Sequence, residues 1–293
     1  MIRKIRVFLE MIKFEHTIFA LPFAYVGAIL GAVTEEARLP TWAECGWILL
    51  AMVGARSAAM GLNRLIDKAI DARNPRTASR ALPAGKLKSA EVVVFVVISF
   101  LLLFWAAFHL NALAVKLLPV AVFMLVFYSY TKRFTWLCHL ILGLTIGLAP
   151  LGGWVAVSGT VSLPAMVLYL SVALWTAGFD VIYACQDVDF DRREGLYSIP
   201  ARFGIARGLM LARLFHLLTA SGFVVLMALT ELSWWYLAGT ALACGILVHE
   251  HRLVRPHDLS RLDAAFFTMN GILSMVVFFF TFIDLVVARA WQA

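Results

Sequence analysis

Residues 43–71 read AECGWILLAMVGARSAAMGLNRLIDKAID. Over 43–62 the run is apolar apart from Glu44, Arg56 and Ser57, and its length matches the ~20 residues that carry an α-helix across a bilayer. It lacks the apolar/polar alternation of a membrane-barrel strand. Polar residues then return in a definite phase. Asn63, Asp67 and Asp71 stand at i, i+4 and i+8, so one face of a continuing helix presents all three. The stretch therefore reads as a membrane-spanning helix that ends in a row of acids.

Runs of the same kind fill the chain. Besides 43–62 we place spans at 17–33, 90–110, 112–130, 136–157, 163–184, 208–230, 234–248 and 264–288, the one at 234–248 being short. Of the 293 residues 62% are hydrophobic and 15% charged, with a mean hydropathy of +0.87. A soluble domain is nearer half apolar and about a quarter charged, so the expected fold is an all-α polytopic membrane protein. Its nine transmembrane helices form one bundle and one domain over 1–293. Residues 1–14, with Arg3, Lys4, Arg6 and Lys13 among apolar residues, predict an amphipathic helix lying on the membrane surface.

Basic residues give the orientation. All Lys and Arg other than Arg38, Arg56, Lys116 and Arg289 fall in one alternating set of loops. Basic loops stay on the cytoplasmic side, which puts the N-terminus inside. The formal net charge of +7 thus reports topology and an anionic ligand, and gives no argument for nucleic acid. Cys45, Cys138, Cys185 and Cys244 show no metal-ligand spacing and read as packing residues.

A second acidic stretch closes the span at 163–184. It runs Asp180-Val-Ile-Tyr183-Ala-Cys-Gln-Asp187-Val-Asp189-Phe-Asp191 and is followed by Arg192, Arg193 and Glu194. Asp180, Asp187 and Asp191 are spaced by seven and four, again one helical face, and Tyr183 precedes Asp187 by four. The two motif regions, 63–89 and 186–207, lie on the same side of the membrane. Two rows of carboxylates there repel without a counter-charge. Mg²⁺ suits them, because it prefers carboxylate oxygens and is usually shared with substrate phosphates. Arg and Lys of the adjoining loops then neutralise the remaining phosphate oxygens. An anionic diphosphate on a lipid tail completes the set. The plainer alternative is a solvated interfacial acid, the reading we give Asp189 and Glu194.

Arg56 lies inside its span, two turns before Asn63 on the same face. A charge there costs about 2.5–3.5 kcal/mol on insertion scales and needs a partner: either a structural ion pair or the carboxylate of an acceptor. Lys132 and Arg133 end the span at 112–130 as anchors, or as a Lys that reaches the diphosphate. Asn270 and Asp284 read as packing or interfacial groups, and His16, His139 and His216 as hydrogen-bonded structural residues. Gly143, Gly147, Pro150, Gly152 and Gly153 allow close helix contact or a break in the fifth span. An ion-coupled transporter is the remoter alternative, but it places acids near the midplane at broken helices, whereas these cluster at one face.

At these motifs the chain resembles the UbiA superfamily of intramembrane aromatic prenyltransferases. Asn63, Asp67 and Asp71 fit its first motif, and Arg76-Thr77-x-x-Arg80-x-Leu82-Pro83-x-Gly85 fits the loop that follows. Asp180, Tyr183, Asp187 and Asp191 fit the second, and Tyr128 with Lys132-Arg133 resembles the family's fourth helix end. One departure is Arg64, where many relatives have Asp. The resemblance implies a nine-helix bundle in a bacterial cytoplasmic (inner) membrane, with its active site facing the cytoplasm. Mg²⁺ is held by Asp67, Asp71, Asp187 and Asp191. Lys132, Arg73 and Arg80 assist the diphosphate, Arg56 orients the acceptor, and Asn63, Tyr183 and Asp180 complete substrate binding. The implied donor is a polyprenyl diphosphate. The implied acceptor is 4-hydroxybenzoate for ubiquinone or, alternatively, 1,4-dihydroxy-6-naphthoate for menaquinone. The expected partners are these substrates and membrane lipid, with no obligate protein partner.

Overall fold

The structure, a computed structural model, describes residues 2–12 and 17–288. Every apolar run is helical. Helix α1 covers Ile2–Met11, α2 Thr17–Glu36, α3 Trp42–Ile66, α4 Lys68–Arg73, α5 Ser89–Phe108, α6 Ala112–Thr131 and α7 Cys138–Ser158. They are followed by α8 Leu163–Ala184, α9 Val188–Glu194, α10 Ile199–Phe203, α11 Ile205–Leu229, α12 Trp234–Leu253 and α13 Asn270–Phe282. π-Wound turns over Ala264–Met269 and Ile283–Ala288 extend α13 at its two ends.

Among the described residues, eight helices are long and apolar enough to cross a membrane, making the chain a polytopic membrane protein. They are α2, α3, α5, α6, α7, α8 with its continuation, α11 and the helix around α13. The expected ninth, α12, is twenty residues long. Trp234, Trp235 and Tyr236 at one end and His249, Glu250, His251 and Arg252 at the other dilute its apolar character. On α1, Met11 is buried while Lys4, Arg6 and Glu10 are exposed, and Phe8 stacks on Phe95 at 5.0 Å. Residues 13 and 14 of the expected surface helix lie outside the described residues.

The bundle is ordered by small residues. Helix α7 sits between α2 and α8, while α5 lies along α3 and α11 along α8. Instead of breaking α7, Pro150 sits in an unbroken helix, and the glycines around it bring neighbours close. A Cβ on Gly153 would lie 2.0 Å from the Ala24 carbonyl oxygen, and one on Gly143 2.1 Å from that of Ala173. Between membrane helices, where lipid is as apolar as leucine, such close approach is the main source of cohesion. Gly153→Ala forces α2 and α7 apart and is expected to cost about 1–3 kcal/mol, read as a lower thermal midpoint in detergent. Gly152→Ala, whose Cβ meets open space, should leave the midpoint unchanged.

Outward-facing apolar residues such as Val94, Leu101, Phe123 and Leu217 are exposed, as a lipid-facing surface requires. Exposed Trp42, Trp105, Trp234 and Trp235 gather at one end and Tyr130, Phe134, Trp136 and Tyr197 at the other, the positions of membrane-interface aromatics. Asp284 caps α12, accepting from the backbone N–H groups of Ser233 (2.9 Å) and Tyr236 (2.8 Å). The acidic motifs both lie at the end that carries the basic loops.

Candidate active site

Helix α3 formally stops at Ile66, yet its register continues into α4. The N–H of Asp67 donates to Asn63 O at 2.9 Å and that of Asp71 to Asp67 O at 2.8 Å, so the expected row of Asn63, Asp67 and Asp71 forms. Asp67 is buried and surrounded by donors: Lys132 Nζ at 2.5 Å, Arg133 Nη2 at 2.9 Å and Asn63 Nδ2 at 3.1 Å. Both basic residues come from the end of α6, which closes against α3 there. Asp71 is also buried. Its Oδ1 accepts from Arg80 Nη1 at 2.7 Å, and its Oδ2 has no hydrogen-bond partner among the described residues. The buried Arg64 holds Nη1 4.0 Å from that oxygen and donates to Asn63 Oδ1 at 3.2 Å.

The acids of the second motif bond to different parts of the chain. Between α8 and α9 the chain winds as a 3₁₀ turn over Cys185–Asp187, tighter than an α-helix, and the acids before and after it face different partners. Asp180 turns to α7, where His139 Nδ1 lies 2.7 Å away. His139 Nε2 in turn accepts from the Ile199 N–H at 3.2 Å, which leaves Nδ1 as the donor. Asp187 instead faces the loop after α4. Arg76 grips it with Nε at 3.1 Å and Nη2 at 2.6 Å, and Asn74 Nδ2 adds a third bond at 3.1 Å. Asp191 accepts from Ser198 Oγ at 2.8 Å. Tyr183 accepts from Arg76 Nη1 at 3.1 Å and stacks its ring on Phe266. Burial alone draws the Arg76 guanidinium down, but its hydrogen bonds to Asp187 hold it above its ordinary value.

Among the loop arginines, Arg73 turns to Glu194 at 3.0 Å on the surface, and Arg76 and Arg80 are the ones that reach the acids. Asp189 is exposed. Arg76, Asn74 and Ser198 are site residues that sequence reasoning did not single out, and Arg133, read as an anchor, also reaches Asp67. Arg76 stood in the quoted loop motif, but spacing alone does not say which arginine of a loop faces inward. His216 bonds to the Trp175 carbonyl oxygen and to His251. His16 lies outside the described residues.

The counter-charge expected of a metal is supplied here by side chains. Asp67, Asp71 and Asp187 are each engaged by Arg or Lys, and among the described residues no group of three His, Cys, Asp or Glu converges to hold an ion. The donor set still fits Mg²⁺. It consists of carboxylate oxygens, the ligands this hard cation takes, and Asp71 Oδ2 is buried without a donor. A polyanion that drew Arg76, Arg80 and Lys132 to itself would release further oxygens.

Deeper in the bundle lies a cavity of about 300 Å³ between α2, α3, α5, α6 and α7. Its walls are apolar, with Met52, Met60, Leu117, Leu125 and Ile146 among them, and Arg56 is the charged residue on its lining. Tyr128 closes the wall beside it, donating to the Ala59 carbonyl at 3.2 Å. Arg56 stands about 10 Å below Asn63 along the helix axis. A basic and acidic cluster at the water boundary thus sits above an apolar chamber whose wall carries, among the described residues, the one cationic side chain of Arg56.

Residues 20–280 match the model of the UbiA prenyltransferase family. The chain is 28% identical to the 4-hydroxybenzoate octaprenyltransferase of Vibrio campbellii, over 94% of this chain and 96% of that one. It is similar to the apo structure of a UbiA homolog from Aeropyrum pernix K1, with a TM-score of 0.84 and 33% identity over 93% of this chain and 98% of that chain. A UbiA homolog from Archaeoglobus fulgidus bound to GPP and Mg²⁺ shares the fold at a TM-score of 0.75 and 17% identity, over 95% of this chain and 99% of that one.

Proposed function

Because this chain belongs to the UbiA prenyltransferase family, we propose that it transfers a polyprenyl group from a polyprenyl diphosphate to the ring of 4-hydroxybenzoate or a close aromatic acid in quinone synthesis. The observation that carries this reading is the bridge from Asn74 and Arg76 to Asp187. It joins two motifs more than a hundred residues apart into one charged site above the apolar chamber. The relatives' acceptor supports 4-hydroxybenzoate over a naphthoate.

In this reading the whole chain is one catalytic domain. Helix α12 crosses as the ninth span, the N-terminus and the charged site face the cytoplasm, and the membrane is the bacterial inner one. The donor's diphosphate enters among Arg76, Arg80 and Lys132, which move from their aspartates to its oxygens, and the prenyl tail lies along the apolar walls. Asp67, Asp71, Asp187 and Asp191 would hold Mg²⁺, which would neutralise the diphosphate and so make it a better leaving group. The allylic C–O bond breaks with its electron pair on the diphosphate. Arg56 holds the acceptor carboxylate so that a ring carbon faces the allylic carbon. A π electron pair of the ring forms the new C–C bond, and the proton on that ring carbon then passes to the released diphosphate, which restores aromaticity. Apolar walls keep water from the allylic cation.

Stripping divalent ions with EDTA is expected to abolish product formation, and added Mg²⁺ to restore it. Product formed equally with and without EDTA would remove the metal from the reading.

A further inference from the structure

Away from the acids, a fully buried polar network lies between α8, α12 and the last span. Residues Ala264–Met269 are π-wound before the chain returns to α-helix at Asn270. π-Turns inside helices are uncommon and gather at functional sites. This one is held by a side chain: Asn270 Nδ2 lies 3.1 Å from Ala265 O and 3.0 Å from Phe266 O, carbonyls that a regular helix would pair with backbone N–H groups. Asn270 is itself clamped on both sides. Trp175 Nε1 donates to its Oδ1 at 2.7 Å, and its Nδ2 also reaches Glu250 Oε1 at 3.1 Å.

Glu250 is fully buried, its second oxygen has no hydrogen-bond partner among the described residues, and His216 Nδ1 lies 3.8 Å from that oxygen. A carboxyl group placed so poorly costs free energy. Packing alone would favour an apolar residue there, so a consequence of Asn270's orientation must offset that cost. Such a consequence is visible one layer away. Phe266, inside the π-turn, stacks under the Tyr183 ring with centroids 4.1 Å apart. On its other side Tyr183 accepts a hydrogen bond from Arg76, whose guanidinium lies 5.4 Å from the Tyr183 ring centroid. Arg76 grips Asp187 with two bonds. An unbroken line of contacts therefore runs from Glu250 and Trp175 through Asn270, Phe266 and Tyr183 to Arg76.

We propose that Asn270, fixed by Glu250 and Trp175, is a positioning residue for the donor diphosphate: it holds the π-turn that sets Phe266 under Tyr183 and so aims Arg76. The inference rests on the prenyl-transfer reading and deepens it. The test is a double-mutant cycle on binding of geranyl thiolodiphosphate, a donor analogue that does not ionise readily, to the purified full chain with Mg²⁺. Asn270→Leu is expected to weaken the analogue about tenfold, and about twofold or less when Arg76 is already alanine, because the two substitutions remove one effect. The KM for the aromatic acid should not move. Glu250→Gln, which still offers Asn270 an acceptor oxygen, should restore near wild-type binding where Glu250→Leu does not. Losses that simply multiply in the Asn270→Leu/Arg76→Ala double variant would overturn the proposal, as would unchanged binding in Asn270→Leu. If Asn270→Leu does not fold, Phe266→Leu in the same cycle decides by the same criteria. Wild-type protein that fails to bind the analogue sinks the prenyl-transfer reading itself, whereas normal wild-type binding with an additive cycle sinks only this inference.

Discussion

Asp67→Ala and Asp187→Ala are each expected to lower kcat by about a thousandfold or more, the scale on which removing a preorganised charge from a reacting site acts. The two differ in their side effects. Asp67 is 2% exposed and holds Lys132 and Arg133 together. Its loss strands two half-buried cations, and breaking a buried pair costs about 3–5 kcal/mol of stability when one partner goes. Asp187 sits at the water boundary, where Arg76 can turn to solvent, so Asp187→Ala should fold with a nearly unchanged thermal midpoint. Comparing kcat with that midpoint separates chemistry from folding. Full activity in either variant would remove its carboxylate from the metal site.

Arg56→Leu is expected to raise the KM for the aromatic acid about a hundredfold and leave the donor's KM alone. Removing one member of a desolvated charge pair typically costs about 2–5 kcal/mol, and Arg56 is the charged residue among those described on the cavity's lining. Arg56→Lys should recover part of the loss, since an ammonium keeps the charge but not the two-pronged geometry. Steady-state kinetics with each substrate varied in turn checks both. A rise in the donor's KM with the acceptor's unchanged would assign Arg56 to the diphosphate instead.

The bundle was legible in the sequence because the bilayer demands about twenty apolar residues per span, and 43–62 and its counterparts meet that demand without tertiary information. The row of Asn63, Asp67 and Asp71 was legible for a similar reason: helical hydrogen bonding carries through Asp67, so spacing and geometry agree. The second row was not. Asp180 precedes and Asp187 ends the 3₁₀ turn at Cys185–Asp187; they bond to different parts of the chain, His139 and Arg76, and no residue type in that stretch announces either partner. Side-chain partners across the bundle were hidden for the same reason. The grip of Arg76 on Asp187, the bond of His139 to Asp180 and the departure of Arg73 to Glu194 depend on where helices distant in sequence end. The basic loops predict an orientation but do not show that their arginines neutralise the acids directly. Pro150 pointed toward a break in α7, yet the helix runs unbroken through it, and the glycines around it serve close contact with α2 and α8. Asn270 read as a packing group, because a π-turn leaves no mark in apolar periodicity.

The most direct test of the central claim is a product assay by mass spectrometry. Purified protein with Mg²⁺ and geranyl diphosphate is offered 4-hydroxybenzoate and 1,4-dihydroxy-6-naphthoate in parallel. The account predicts geranylated 4-hydroxybenzoate, with the new bond on a ring carbon. Folded protein that prenylates neither these nor other aromatic acids, with geranyl or longer donors, would contradict it.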